Sequence, residues 1–201
     1  WNDQFENILP LILAQTKDIY LEKNEHIRSK TKVETAQDRF IKKIKTEFSS
    51  HNIKRSYPIL SELRMVKNDI EVTQIQKACD ITEMGFRRVL DFIEPGVWEY
   101  EIEAEYSHEF LNNRSKGFAY QPIIASGINS CSLHYNTNNM QCKDGEMVLM
   151  DVGSEYANYR SDMTRTVPIN GKFSKRQLQI YNAVLNVKNE ANKILRPGTS
   201  I

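Results

Sequence analysis

Apolar residues recur along this chain in two rhythms, and the changes of rhythm predict its elements. Phe5, Ile8, Leu9, Ile12 and Leu13 return every three or four positions, the spacing of one helix face, so residues 3–16 are expected to be helical. Asp18-Ile19-Tyr20-Leu21-Glu22 alternates in steps of two and predicts a short strand. Ala36, Phe40, Ile41, Ile44 and Phe48 restore the helical period over 34–48. The polar stretch from His51 to Pro58 ends in a proline and predicts a domain boundary. Beyond it, Ile75, Ala78, Cys79, Thr82, Phe86, Val89, Leu90 and Ile93 form one stripe, which predicts a long amphipathic helix over 71–93. Pro95-Gly96 ends it. A second helix is expected over 100–112, with Ile102, Tyr106, Phe110 and Leu111 inward. Pro122 to Ser126 reads as a short strand closed by Gly127. Lys143-Asp144-Gly145 is a turn that opens a strand over 146–153, and a second strand is predicted over 158–169. Ser174 suits the N-cap of a helix through Ile180, Val184, Val187, Ala191 and Leu195, which Pro197-Gly198 stops.

Helix, helix, β-hairpin, helix is an α+β order, not an alternating βαβ one. Residues 1–57 read as the closing part of an α/β domain, and 58–201 as the opening of a second domain.

Charge narrows the range of partners. Twenty-seven basic side chains against 26 acidic ones leave a net charge of +1. That balance supplies no long-range field to gather nucleic acid or anionic lipid, so neither partner is expected. Lys42-Lys43 and Arg87-Arg88 lie in helical patterns with acids nearby and read as solvated faces. Cys79, Cys131 and Cys142 make an odd count without metal-like spacing, which favours a reducing compartment and a cytoplasmic location. No apolar run approaches the roughly 20 residues that span a bilayer. Ile8 to Ala14 contains Pro10 and lacks a basic flank, so no signal peptide is read there. The chain opens on Trp1, so the start of the parent chain is not seen.

Two acids stand where apolar residues would be expected. Asp151 follows Met147-Val148-Leu149-Met150, and Asp162 precedes Met163-Thr164-Arg165-Thr166-Val167. On the two strands of one hairpin, with its loop near 155–159, they are expected to face each other with Cβ atoms about 4.5–5.5 Å apart. Two carboxylates that close repel, and a divalent cation between them removes the problem. Hard oxygen ligands suit manganese, magnesium or zinc-type sites. The alternative is one turn residue and one solvated edge charge, and the spacing alone does not choose.

The surrounding residues add a resemblance. Asp151-Val152-Gly153-Ser154-Glu155-Tyr156, followed by Tyr159-Arg160-Ser161-Asp162-Met163-Thr164-Arg165-Thr166, resembles the metallopeptidases of the pita-bread fold, and among them the aminopeptidase P (Xaa-Pro aminopeptidase) family. Leu63-Arg64-Met65-Val66-Lys67, Ser132-Leu133-His134-Tyr135-Asn136 and Pro168-Ile169-Asn170-Gly171-Lys172-Phe173-Ser174 follow the same pattern. The resemblance runs from about residue 58 to the end and is looser before it. It implies the first half of a pita-bread catalytic domain (58–201) preceded by the end of a creatinase-like N-terminal domain (1–57).

The resemblance further implies two divalent metal ions, manganese foremost with zinc or cobalt as alternatives, on five side chains. Asp151 and Asp162 match the first two ligands. A hydroxide between the metals would attack the carbonyl before a proline in second position. His134 matches the histidine that lines the substrate pocket. Thr164 lies two past the second aspartate on the same strand face, where its hydroxyl would support the bridging oxygen or its place would reflect only the β-propensity of threonine. Arg165 points the other way and reads as half of an ion pair, while Tyr156 and Tyr159 read as packing residues. His26, His51 and His108 read as structural. The remaining ligands, a histidine and two glutamates, have no counterpart before Ile201. The chain is therefore expected to be an internal portion of a longer enzyme, inactive alone and a homo-oligomer if it follows family habit. Two other readings stay open: a dipeptidase restricted to Xaa-Pro dipeptides (prolidase), and a non-catalytic pita-bread module that binds peptides or proteins.

Overall fold

The computed structural model describes residues 3–23 and 34–200. His26 lies outside the described residues. The chain divides into two compact units, residues 1–67 and 68–201.

The first unit contains α1 (Phe5–Leu13), β1 (Asp18–Leu21), α2 (Ala36–Glu47), β2 (Asn52–Arg55) and α3 (Tyr57–Met65). Its small core is Leu13, Ile19 and Ile44, with Leu9, Phe40, Phe48 and Ile53 packed around them. Thr35 caps α2 reciprocally with Asp38, a device that satisfies two orphan donors at the helix start. β2 was read from sequence only as polar linker. It pairs parallel to β1, Asp18 opposite Asn52. Only Ile53 enters the core, so the apolar signal is one residue long. Polar pairing supplies the rest: Asn52 Nδ2 and Lys54 Nζ donate to the Asp18 carboxylate at 3.0 and 2.6 Å. Pro58, read as a breaker, sits in the first turn of α3, where no backbone N–H is required of it.

The second unit opens with α4 (Asp69–Phe92) and α5 (Glu99–Asn112). Asn68 and Glu71 form the capping box that starts α4. β3 (Ile123–Ser126), a 3₁₀ turn (Gly127–Cys131), β4 (Met147–Val152), β5 (Glu155–Tyr156), β6 (Tyr159–Arg160), β7 (Met163–Pro168) and α6 (Lys175–Ile194) follow. β3, β4 and β7 form an antiparallel sheet in that order, and β5 pairs with β6 in a ladder of its own. Val148, Met150 and Val152 alternate into the core, the two-residue period of a strand. There they join Ile81, Val89, Ile102, Tyr106 and Phe110 from the helices. Gly85 lets α4 and α5 approach: a Cβ there would lie 2.9 Å from the Tyr106 ring.

Three expectations shift. Leu111 points outward at 65% exposure, because the buried stripe of α5 is Ile102, Tyr106 and Phe110. Cys79 and Leu90 lie on exposed flanks of α4, whose buried line is Ala78, Ile81, Thr82, Gly85 and Val89. The second hairpin strand is not continuous, since Ser161 and Asp162 interrupt it between β6 and β7. Among the described residues no helix is long and apolar enough to cross a membrane.

Candidate functional site

Asp151 stands near the end of β4, directly opposite Thr164 on β7 and Ile123 on β3. Asp162 lies just outside β7, so it is not the cross-strand partner the uniform hairpin predicted. The cause is local. After Val152 the chain crosses closely over the strand returning from β6, and a Cβ on Gly153 would stand 1.9 Å from the Ser161 carbonyl oxygen. Glycine alone permits that approach, and it lets β5 and β6 turn away through Ala157 and Asn158, both at positive φ (50° and 67°). Such a pair of left-handed residues matches the twist of a tight hairpin.

A buried polar cluster fixes the crossing. The Thr82 and Ser161 hydroxyls are 2.7 Å apart, and the Ser154 N–H donates to both at 3.0 Å. The Ser154 hydroxyl donates to the Ala78 carbonyl at 2.8 Å. With every member partnered, this burial does not incur the cost of an unpaired group, and α4 sets the position of the residue just before Asp162.

The carboxylates nevertheless meet. The Tyr120 hydroxyl donates to Asp151 Oδ1 at 2.6 Å and lies 3.1 Å from Asp162 Oδ1. The two carboxylate oxygens are thus no farther apart than the sum of those distances. A phenol carries one hydrogen, so the carboxylates compete for it and the shorter contact belongs to Asp151. Burial, reinforced by both carboxylates, pushes the Tyr120 hydroxyl well above the ordinary phenol range. The Tyr120 stretch is held in place by Ala119, whose N–H donates to the Gly153 carbonyl at 2.8 Å. Sequence reasoning missed Tyr120. It precedes β3 in a stretch without periodicity, and nothing local marks its contact with residues 31 and 42 positions on.

Thr164 shares a sheet face with Asp151 as its direct partner. Arg165 forms no ion pair among the described residues, contrary to expectation. Its guanidinium donates to the adjacent Thr164 carbonyl at 2.8 Å. Tyr156 packs on the core, while the Tyr159 hydroxyl donates to Glu71 at 2.9 Å.

His134 is exposed on the loop after the 3₁₀ turn, with a left-handed backbone (φ 54°). Among the described residues no hydrogen bond joins it to either aspartate. Its loop does touch the Tyr120 segment, since Gln121 Nε2 donates to the Asn136 carbonyl at 3.4 Å. A cleft of about 520 Å³ between α4 and the start of β7 is lined by Asp162, Met163, Arg165 and Phe86, among others.

Two carboxylates converging on one point are suitable donors for a hard divalent cation, which prefers oxygen ligands. They supply only part of a coordination shell: among the described residues no three His, Cys, Asp or Glu side chains gather into a metal-holding group.

Comparison with known proteins bears on these residues. The sequence pattern of Metallopeptidase family M24 matches residues 73–201. An Xaa-Pro aminopeptidase of Haemophilus influenzae is 37% identical over 199 residues, covering 99% of this chain and 44% of that protein. Among solved structures, proline aminopeptidase P II of Yersinia pestis superposes with a TM-score of 0.84 at 32% identity, over 99% of this chain and 46% of that one. Zinc-substituted Escherichia coli aminopeptidase P, solved in complex with product, gives a TM-score of 0.84 at 30% identity, over 99% and 46%. The chain therefore spans just under half the length of these relatives.

Proposed function

Because this chain belongs to metallopeptidase family M24, we propose that it forms part of a metal-dependent aminopeptidase that releases the N-terminal residue from peptides with proline in second position. Its architecture is that of the pita-bread fold shared with the aminopeptidase P structures. The observation that carries the proposal is the meeting of Asp151 and Asp162 on the Tyr120 hydroxyl, in a chain matched to this family.

In this reading Asp151 and Asp162 hold divalent cations, manganese foremost. When bound, such ions supply Lewis acidity and lower the pKa of a water to near 7. Tyr120 orients the two carboxylates toward each other. Thr164, opposite Asp151, supports that carboxylate from the neighbouring strand. His134 lines the pocket and offers a ring nitrogen to the peptide. The 201 residues hold two ligands of the five that the resemblance implies, so we propose that catalysis belongs to the full-length enzyme and that these residues alone are inactive. A cytoplasmic homo-oligomer is the setting proposed for it.

The test uses full-length enzyme stripped with chelator and reloaded with Mn²⁺, given an Xaa-Pro-Xaa tripeptide and an Xaa-Pro dipeptide. Metal-dependent release from the tripeptide is expected, with Asp162→Asn slower by at least about 100-fold, since even groups behind metal ligands cost 10–100-fold. Turnover of the dipeptide alone would identify a prolidase instead. Binding of both peptides without release would indicate a non-catalytic module.

A further inference from the structure

We propose that Glu99 is the positioning residue for His134, a role that rests on the reading of His134 as a pocket residue. Glu99 is the first residue of α5 and is fully buried. A buried carboxylate is costly unless it is fully hydrogen-bonded, and this one is. Its Oε1 accepts from the Ser126 N–H and hydroxyl, both at 2.7 Å, and from Asn129 Nδ2 at 3.3 Å. Its Oε2 accepts from the Tyr135 hydroxyl at 2.7 Å and the Met140 N–H at 3.0 Å.

The pattern of these partners matters more than their number. Ser126 ends β3, and Met140 is where the chain returns beside α5, its carbonyl accepting from the Glu99 N–H at 3.0 Å. Everything between them, including the 3₁₀ turn and His134, is an excursion whose two ends are tied to one carboxylate. Asn129 and Tyr135 tie its interior to the same group, and Asn129 also donates to the Tyr135 hydroxyl at 3.0 Å. Tyr135 is the residue after His134, so Glu99 anchors the chain one residue away from the histidine. Asn138 adds a second tether: it accepts from the Ile124 N–H and donates to the Pro122 carbonyl and to Glu103. An exposed loop carrying left-handed residues at 134 and 138 needs such anchors to hold one geometry, because strained backbone persists only where its surroundings over-determine it.

The geometry also shows why glutamine cannot replace Glu99. Each carboxylate oxygen accepts from a backbone N–H, one from Ser126 and the other from Met140. Whichever way a glutamine amide is turned, its NH₂ meets one of those donors. Glu99→Gln therefore opens one end of the clasp while keeping shape and volume.

The experiment has two arms on the full-length enzyme. In the first, hydrogen exchange followed by mass spectrometry compares parent and Glu99→Gln. Amides of 127–139 are expected to exchange at least tenfold faster, with those of β4 unchanged. In the second, steady-state kinetics on an Xaa-Pro-Xaa peptide are run on Glu99→Gln, His134→Ala and the double variant. The fall in kcat caused by Glu99→Gln is expected to vanish when His134 is already alanine, the coupling expected of residues that act as a unit. Should Glu99→Gln fold poorly, Tyr135→Phe removes the hydroxyl that links the residue beside His134 to Glu99 and Asn129 while leaving the Ser126 and Met140 ties intact, and should lower kcat in the same direction. Unchanged exchange in 127–139 would overturn the clasp. An equal fall in kcat with and without His134 would overturn the positioning role and leave Glu99 a general structural residue. If the parent enzyme releases no residue, the peptidase reading fails and the positioning role falls with it. The exchange arm still decides whether the clasp exists.

Discussion

Replacing Gly153 with alanine tests the crossing that brings the aspartates together. The added methyl would stand 1.9 Å from the Ser161 carbonyl oxygen, 2.7 Å from its carbonyl carbon and 3.2 Å from the Tyr120 ring. Two of these are backbone atoms, so no rotamer change relieves the clash, and the 161–162 segment must retreat by about 1 Å or more to reach ordinary van der Waals separation. That retreat strains three contacts at once: the Ser161 N–H to the Ser154 carbonyl, the Ser154 N–H to the Ser161 hydroxyl, and the Thr82–Ser161 pair. Overpacking costs about 1–3 kcal/mol and each of the three weakened bonds about 1 kcal/mol, so a loss of about 4–6 kcal/mol is expected. At about 2–4 °C per kcal/mol for a chain of this size, the melting temperature should fall by about 10–20 °C. Gly171→Ala is the control. Its backbone is left-handed (φ 72°) and nothing lies within 4 Å of the new methyl, so only conformational strain of about 1–2 kcal/mol applies. Thermal unfolding of both variants is followed by circular dichroism. A Gly153→Ala protein that melts no lower than Gly171→Ala would refute the close crossing as the device that places Asp162.

Other outcomes follow from neighbouring groups. Thr82→Val removes a buried hydroxyl from Ser161, Ser154 and Ala78 at nearly constant shape. It should cost about 1–2 kcal/mol in urea denaturation, because the Ser154 N–H keeps the Ser161 hydroxyl as a partner. Tyr120→Phe should weaken Mn²⁺ binding to the full-length enzyme by about 10–100-fold, as loss of a group orienting a metal ligand does, and calorimetric titration showing equal affinity would count against that role. Burial alone would raise the Glu99 carboxyl. The N–H groups of Ser126 and Met140 and the Tyr135 hydroxyl outweigh it and hold the carboxyl below its usual value of 4.5. A depressed native pKa stabilises above the unfolded value and is lost as pH falls through the native one. Below about pH 4.5, the parent should therefore lose stability more steeply than Glu99→Gln, as measured by urea midpoints across pH.

Periodic segments were legible because a single face decides them. The stripes of α4 and α5 and the alternation of β4 each bury a repeating set, and a repeating set leaves its period in the sequence. β2 left none, since one isoleucine and a shared aspartate hold it. Asp151 and Asp162 were legible as a pair, but not by the route expected. A ladder of uniform register would have set Asp151 against Asp162, whereas the observed register sets it against Thr164. Side-chain spacing cannot reveal a backbone crossing that depends on the absence of a Cβ at Gly153. Nor can it reveal Tyr120, whose role comes from where the 118–120 stretch lies against Gly153 and Ser154.

The broken hairpin has a chemical consequence that a regular one would lack. In an unbroken ladder, directly opposed acids sit with their Cβ atoms about 4.5–5.5 Å apart along their whole mutual face, and each carboxylate is free to swing away from the other. Here the interruption at Ser161 and Asp162 places the second acid off the ladder, where α4 fixes its backbone through Thr82 and Ser161, while β4 fixes the first. The two carboxylates thus come from two different elements, and among the described residues the Tyr120 hydroxyl reaches both, at 2.6 Å from Asp151 and 3.1 Å from Asp162. A constellation held to a fraction of an ångström needs its side chains locked by such surrounding contacts. Removing the Tyr120 hydroxyl should therefore disturb the mutual orientation of the acids more than the stability of the sheet. That separation is measurable: Tyr120→Phe should shift the urea midpoint far less than Thr82→Val does, yet weaken cation binding more.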